Sequence, residues 1–343
     1  MLGHQLIRPL LMRISVLVPV RNEAKSISAL LDGLLAQSRP PDEIVIADGG
    51  STDDTASIID EYISLSAPIQ LIRAGPALPG RGRNIAAGRA SCEWFAFIDA
   101  GVRPEKEWLE SLANRASEEE EADVVYGSYE PVADTFFKEC AAIAYVSPPN
   151  SDHGLPMRSH FIACTLMRRK VWEQVGGFPE HLRSAEDLLF MLRIEDAGFV
   201  ITYEPAAKVY WDLQPGLWRT FKRFVTYSEN NIRANLWKRW QSPIFKRYIL
   251  LLVSALPILV FGYKWTIVPL VLWLLMLSAR ASAALWRNRR CYPGSPLRNL
   301  KRLCVLIPLI ATLDAATFVG TGRWLFKDRL RLSDKAARVR HGA

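Results

Sequence analysis

An α/β domain with a mixed, mainly parallel sheet flanked by helices, followed by C-terminal membrane helices, is the fold class this sequence predicts. Three observations predict it. Two apolar strands, residues 14–20 (ISVLVPV) and 44–47 (IVIA), each end abruptly in polar, loop-forming residues, RNE after the first and DGGS after the second. Between them Ile27, Leu30, Leu31 and Leu34 recur at helical spacing, so the order is strand, helix, strand, and a parallel βαβ unit follows. The long apolar runs gather beyond residue 247.

Strand ends of an open α/β sheet line one crevice, where ligands bind. That crevice would be bordered by Pro19, Arg21 and Glu23, with Asn22 capping the helix that follows, and by Asp48 after the second strand. An ionised Asp48 only accepts hydrogen bonds, which suits the imide N–H of uracil or the amino groups of guanine; a turn aspartate binding its own backbone is the structural alternative. Asp53 and Asp54 read as helix-start residues. No GxxxxGK[ST] is present and no GxGxxG follows the first strand, so ATPase and dehydrogenase readings fall away; the GRGR run at 80–83 is a weak look-alike. Arg81 and Arg83 stand in a Gly- and Pro-rich stretch read as a loop, where guanidinium groups can grip phosphate oxygens in bidentate fashion. Asn84 would cap a helix over 85–90. The apolar strand 94–98 carries Asp99 to its C-terminal end, followed by Ala100 and Gly101, and a carboxylate at a buried strand tip is a site signal.

Together with GRGRN, FIDAG (97–101), GGF (176–178) and AED (185–187), these blocks run in an order that resembles a family 2 glycosyltransferase of the GT-A fold, over about residues 14–212. Such inverting enzymes move a sugar from a nucleotide diphosphate to an acceptor. The resemblance implies a ribose contact for Asn84, and Asp187 as the base that takes the acceptor hydroxyl proton, with Glu186 orienting the acceptor or the loop. Glu186 and Asp187 also suit the first turn of a helix over 188–197, and both roles are compatible. Most members read DxD where this chain has DAG, the last Asp binding a divalent metal, Mg or Mn, that neutralises the diphosphate. Three outcomes stand open: Asp99 holds the metal with help from Asp212; basic side chains such as Arg83 and Arg223 replace it; or the protein is inactive. A subset of the family shares DAG followed by a Trp-Leu pair, as in Trp108 and Leu109 here.

The stretch 148–160 is rich in Pro, Ser and Asn and stands where an acceptor loop is expected. Its Arg158 and Ser159 could hold a phosphate or a sugar hydroxyl, or simply belong to a surface loop, while His153 and His160 lack partners at metal-ligand spacing. Residues 216–246, with an aromatic and basic segment at 218–231, read as interfacial helices; Arg223, with Arg219 in reserve, would close over the diphosphate or bind lipid head groups.

One helix over 248–277 would be about 45 Å long, beyond a hydrocarbon core of about 30 Å, so a hairpin over 247–287 is expected. Its arms are 248–261, containing Pro257, and 265–286, with Trp265 and Trp286 as interfacial anchors. Lys246 and Arg247 precede it and the basic loop 288–302 follows it, which puts both ends, and the catalytic domain, on the cytoplasmic side of the inner membrane. Residues 303–326 are apolar enough to span but carry Asp314 at their middle, and a span would export the basic tail 327–343. A helix lying in the cytoplasmic leaflet, its polar stripe of Asp314, Thr317 and Thr321 against the catalytic domain, is therefore favoured over a third span. Residues 1–13 suit a short amphipathic anchor. The net charge of +8 fits anionic lipid rather than nucleic acid, for which no module is present. Five scattered cysteines without a CxxC point to no site.

The expectation is thus a membrane-bound inverting glycosyltransferase using a UDP- or GDP-sugar and a lipid-linked or cell-surface glycan acceptor. The alternative is a catalytically silent GT-A scaffold that binds nucleotide or a partner at the membrane.

Overall fold

The computed structural model describes residues 12–150, 157–159 and 161–330. Apart from Met12 and Arg13, the expected anchor over 1–13 lies outside them, as do His153, His160 and the basic tail beyond residue 330. The chain divides into two compact units, one running to Val132 and resuming over Pro149–Asp212, the other made of Ala133–Pro148 and the residues from Leu213 onward. The single domain expected over 14–215 therefore ends at Asp212 and lacks an internal stretch.

The first unit is built on one eight-stranded sheet: β1 Ile14–Val20, β2 Glu43–Asp48, β3 Ile69–Arg73, β4 Trp94–Phe97, β5 Val102–Pro104, β6 Val124–Val132, β7 Thr165–Arg168 and β8 Ile201–Asp212, in the spatial order β3-β2-β1-β4-β7-β6-β8-β5. β1 and β2 run parallel, as the crossover reasoning required, and β3 and β4 extend the parallel set on either side. β7 is antiparallel to β4 and β6, and β5 is antiparallel to β8. Strands β1, β2 and β4 are buried almost throughout, the mark of parallel strands covered on both faces.

Helix α1, Ile27–Leu35, buries the four apolar residues whose spacing predicted it. Its N-cap is Ser26, not Asn22, because a tight turn over 23–26 intervenes. Helix α2 is Thr55–Ser64. Helix α3 runs over Pro79–Arg89, six residues earlier than expected, so the GRGR run is helical and not a loop. Its glycines permit close packing: a Cβ on Gly82 would stand 3.1 Å from that of Pro19, and one on Gly80 would overlap the carbonyl of Pro179. Helix α4, Trp108–Glu118, begins with the Trp-Leu pair, and both residues are wholly buried core.

In the second unit α5, Phe136–Tyr145, is tied down by Glu139, which accepts from Arg298 at 2.5 Å and Arg302 at 2.6 Å. Helices α6, Arg169–Val175, and α7, Glu186–Asp196, return to the first unit. Then come α8, Leu217–Arg233, α9, Trp237–Trp240, α10, Ser242–Ala255, α11, Ile258–Phe261, α12, Ile267–Arg287, and α13, Pro296–Trp324.

Three segments among the described residues are long and apolar enough to cross a membrane: Ser242–Phe261, Tyr263–Arg287 and Pro296–Asp328. The first arm starts six residues before the expected 248 and resumes after Pro257, which gives it 20 residues, about 30 Å of helix. The turn falls at Gly262, with φ +78°. Asp314 is fully buried, yet it is not an orphan charge: Arg280 Nη2 donates to it at 3.0 Å and the Tyr248 hydroxyl at 3.1 Å. The cost that argued against a third span is offset by this pairing. Arg280 was legible as a charge in the second apolar arm, and that cation, matched with Asp314 in the third apolar segment, was the signal that could have found the pairing. The polar stripe is also satisfied within this unit, since the Thr317 carbonyl accepts from Ser228 Oγ of α8 at 2.9 Å.

Candidate active site

The site is assembled at the C-terminal ends of β1, β2 and β4. Leaving β1, Asn22 adopts φ +57° and ties the two loops together: its N–H donates to Ser51 Oγ at 2.9 Å, and its Oδ1 accepts from the Thr52 N–H at 2.8 Å. Pro19 is half-buried and Arg21 exposed. Glu23 accepts from Ser26 Oγ at 2.5 Å. Asp48 is buried and accepts from Ser51 N–H at 3.0 Å and Ser51 Oγ at 2.6 Å, so its carboxylate holds the DGGS turn. Asp53 accepts from Thr55 N–H at 3.2 Å and Thr55 Oγ1 at 2.5 Å, a helix-start role.

Arg83 is the centre of the arrangement. Its side chain is only 4% exposed, and its two terminal nitrogens diverge: Nη2 donates to Asp99 Oδ1 at 2.7 Å and Nη1 to Glu186 Oε1 at 2.7 Å. The Phe178 ring lies 5.3 Å from the guanidinium carbon. Helix α3 thus joins the tip of β4 to the start of α7. Arg81, two residues earlier on the helix, is exposed.

Ala185 enters α7 with φ +67°, a strained conformation for a residue with a Cβ, and such strain collects at functional sites. Burial pushes the Glu186 carboxyl up to about 7, the neighbouring Asp187 adds to the rise, and Arg83 opposes it. Asp187 is raised as well, by burial first, with Arg83 and the Leu188 N–H pulling it back. Three carboxylates around one guanidinium cannot all ionise at low cost, so the Glu186–Asp187 pair retains a proton toward neutral pH.

Asn84 departs from both of its expected roles. It is not a cap, and its amide is consumed by the GGF turn: Nδ2 donates to the Phe178 carbonyl at 2.9 Å and Glu180 Oε1 at 3.0 Å, while Oδ1 accepts from the Phe178 N–H at 2.8 Å and Trp172 Nε1 at 3.1 Å. That is its whole hydrogen-bonding capacity, which leaves nothing for a ribose. Arg158 is likewise engaged, through Nε at 3.1 Å and Nη2 at 3.0 Å to Glu130, and Ser159 bonds the Tyr129 hydroxyl. Arg223 lies on α8 in the second unit, where its Nε donates to Tyr227 at 2.7 Å.

For a metal, Asp99 is one-third exposed at the tip of β4. The β5–β8 register pairs Val102 with Trp211, so one step further puts Asp212 across from Gly101, where the family's last DxD carboxylate is missing. No group of three His, Cys, Asp or Glu side chains stands ready as a cage among the described residues. A Mg-type cation needs none, since it is commonly held by one or two carboxylates plus substrate phosphates, and the partly exposed Asp99 is a carboxylate of that kind.

The open α/β sheet, with a carboxylate at a central strand tip bridged by Arg83 to Glu186 at a helix start, has the architecture of the GT-A fold class. More narrowly, residues 15–176 match the model of the Glycosyl transferase family 2. It is 30% identical over 199 residues to glycosyltransferase AglE of Haloferax volcanii, covering 55% of this chain and 64% of that protein. To poly(ribitol-phosphate) beta-N-acetylglucosaminyltransferase TarS of Staphylococcus aureus (strain Mu50) it is 29% identical over 191 residues, covering 53% of this chain and 32% of TarS. The chain thus spans less than two thirds of the length of these curated relatives. Its fold is similar to that of mannosyltransferase PcManGT from Pyrobaculum calidifontis in complex with GDP-Man and Mn2+, with TM-score 0.55 and 20% identity over 94% of this chain and 89% of that one.

Proposed function

We propose that this protein is a membrane-attached inverting glycosyltransferase that moves a sugar from a UDP- or GDP-sugar to a lipid-linked or cell-surface glycan acceptor at the cytoplasmic face of the inner membrane. The observation that carries this reading is the Asp99–Arg83–Glu186 bridge, which holds a donor-side carboxylate and an acceptor-side acidic pair in one rigid arrangement.

Pro19, Arg21, Glu23 and Asp48 border the base and ribose end of the donor, and Asp99 and Ala100 its sugar-diphosphate end. Arg81, exposed in the first turn of α3, offers its guanidinium and a helix N-terminus to the phosphates. Asp99 and Asp212 would hold a divalent metal, whose chemistry is to neutralise charge on the departing diphosphate. Asp187 takes the proton of the attacking acceptor hydroxyl, and its raised pKa makes it a better base than a solvated carboxylate near neutral pH. A lipid phosphate acceptor is already ionised and would need that base less. Lys246 and Arg247 before the hairpin, and Arg287, Arg289 and Arg290 after it, support the cytoplasmic orientation.

The test is calorimetric titration of the detergent-purified protein with UDP, GDP and their sugars, with and without manganese. Base-selective binding that needs metal supports this donor class and the Asp99–Asp212 site. Tight binding without metal moves charge neutralisation to the arginines, and no binding to either nucleotide favours the silent scaffold.

A further inference from the structure

Resting on that reading, we infer that Arg83 is a positioning residue of the transfer reaction, which braces the acidic pair against the donor-side strand tip, and not a ligand of the donor's diphosphate. A phosphate-binding arginine must offer N–H groups to the cleft. The Arg83 side chain is 4% exposed, and each terminal nitrogen is already committed, one to Asp99 and one to Glu186, both at 2.7 Å. Its Nε has no hydrogen-bond partner among the described residues and is itself buried, so it is no better placed to reach a ligand. Phe178 lies over the guanidinium.

The packing around α3 points the same way. Gly80 leaves the space that the Pro179 carbonyl and Glu186 Cγ occupy, and Gly82 lets the helix settle on Pro19. Asn84, next along the helix, clamps the GGF turn that leads toward Ala185. These contacts set the guanidinium between two carboxylates 87 residues apart in sequence, Asp99 and Glu186. A planar fork with divergent N–H groups can serve both at once, and a lysine ammonium on a flexible stem cannot hold both in the same geometry.

The experiment compares Arg83→Lys and Arg83→Ala with the wild-type chain in detergent, measuring donor affinity by calorimetry and kcat and KM for transfer separately. The expected result is a kcat lower by about 100-fold or more in Arg83→Ala with donor affinity within about threefold of wild type, partial recovery in Arg83→Lys, and partial restoration of Arg83→Ala by millimolar guanidinium ion. A tenfold or larger loss of donor affinity with kcat at saturation unchanged would make Arg83 a diphosphate ligand and overturn the inference. So would an Arg83→Lys enzyme indistinguishable from wild type. Should Arg83→Ala fail to fold, Glu186→Gln and Asp99→Asn each weaken one arm of the brace, and neither lowering kcat would equally overturn it. Failure of the wild-type chain to bind any donor sinks the transferase reading itself, an outcome distinct from all of these.

Discussion

Replacing Glu186 by Gln should flatten the dependence of stability on pH. In the folded protein this carboxyl is pushed from its ordinary 4.5 up to about 7, chiefly by burial and by Asp187. The folded state then binds more protons than the unfolded chain between those two values. Stability from this group is therefore greatest below about pH 4.5, declines as the pH rises, and levels off above about pH 7. At about 1.4 kcal/mol for each pH unit of separation, the interval allows a ceiling of about 3 kcal/mol. Glutamine keeps the volume and an oxygen for Arg83 Nη1, and its second polar atom replaces Oε2, which has no partner either. The charge is thus the main thing removed. Melting temperatures in detergent between pH 4.5 and 8 should fall with rising pH in the wild type, by up to about 6–12 °C for a domain of this size, and by clearly less in Glu186→Gln. Parallel curves for the two proteins would show that Glu186 titrates as an ordinary carboxyl, and the account of one guanidinium shared among three acids would then be wrong.

Other outcomes follow from the same contacts. Asp187→Ala should lower kcat by about 10²–10⁴ while sparing donor binding; unchanged transfer would remove Asp187 as the base, and a mild effect of Asp187→Asn would point to a phosphate acceptor. A Cβ added at Gly101 meets no atom within 4 Å, so Gly101→Asp should fold normally and bind manganese more tightly in calorimetry; unaltered metal affinity would argue against a metal at this strand tip. Arg280→Met leaves Asp314 buried without its main partner and should cost up to about 3–5 kcal/mol in thermal melts, largely recovered by adding Asp314→Leu; additive losses would refute the pairing. Gly80→Ala must push against the Pro179 carbonyl and should destabilise the protein by about 1–3 kcal/mol, and an unchanged melting temperature would mean that α3 has room to shift.

The sequence by itself determined the first βαβ unit and the strand ending at Asp99, because hydrophobic periodicity and abrupt polar endings are local signals: Ile27, Leu30, Leu31 and Leu34 point inward for the reason that predicted them. It also brought forward Asp99, as a carboxylate at a buried strand tip, while Glu186 and Asp187 were singled out by the resemblance of the AED block. Helix limits were less legible. GRGR reads as a loop because glycine is a poor helix former, and only the close approach of Pro19 and Pro179 shows why glycine is there. What a polar side chain is bonded to was beyond local pattern altogether. Arg83 meets partners 16 and 103 positions away, Asn84 is spent on a turn 94 positions away, and Asp314 finds Arg280 across 34. Charge and hydrogen-bonding capacity are written in the sequence, but their satisfaction depends on which distant backbone segments the packed sheet and helices bring within 3 Å, and that is decided only by the tertiary structure.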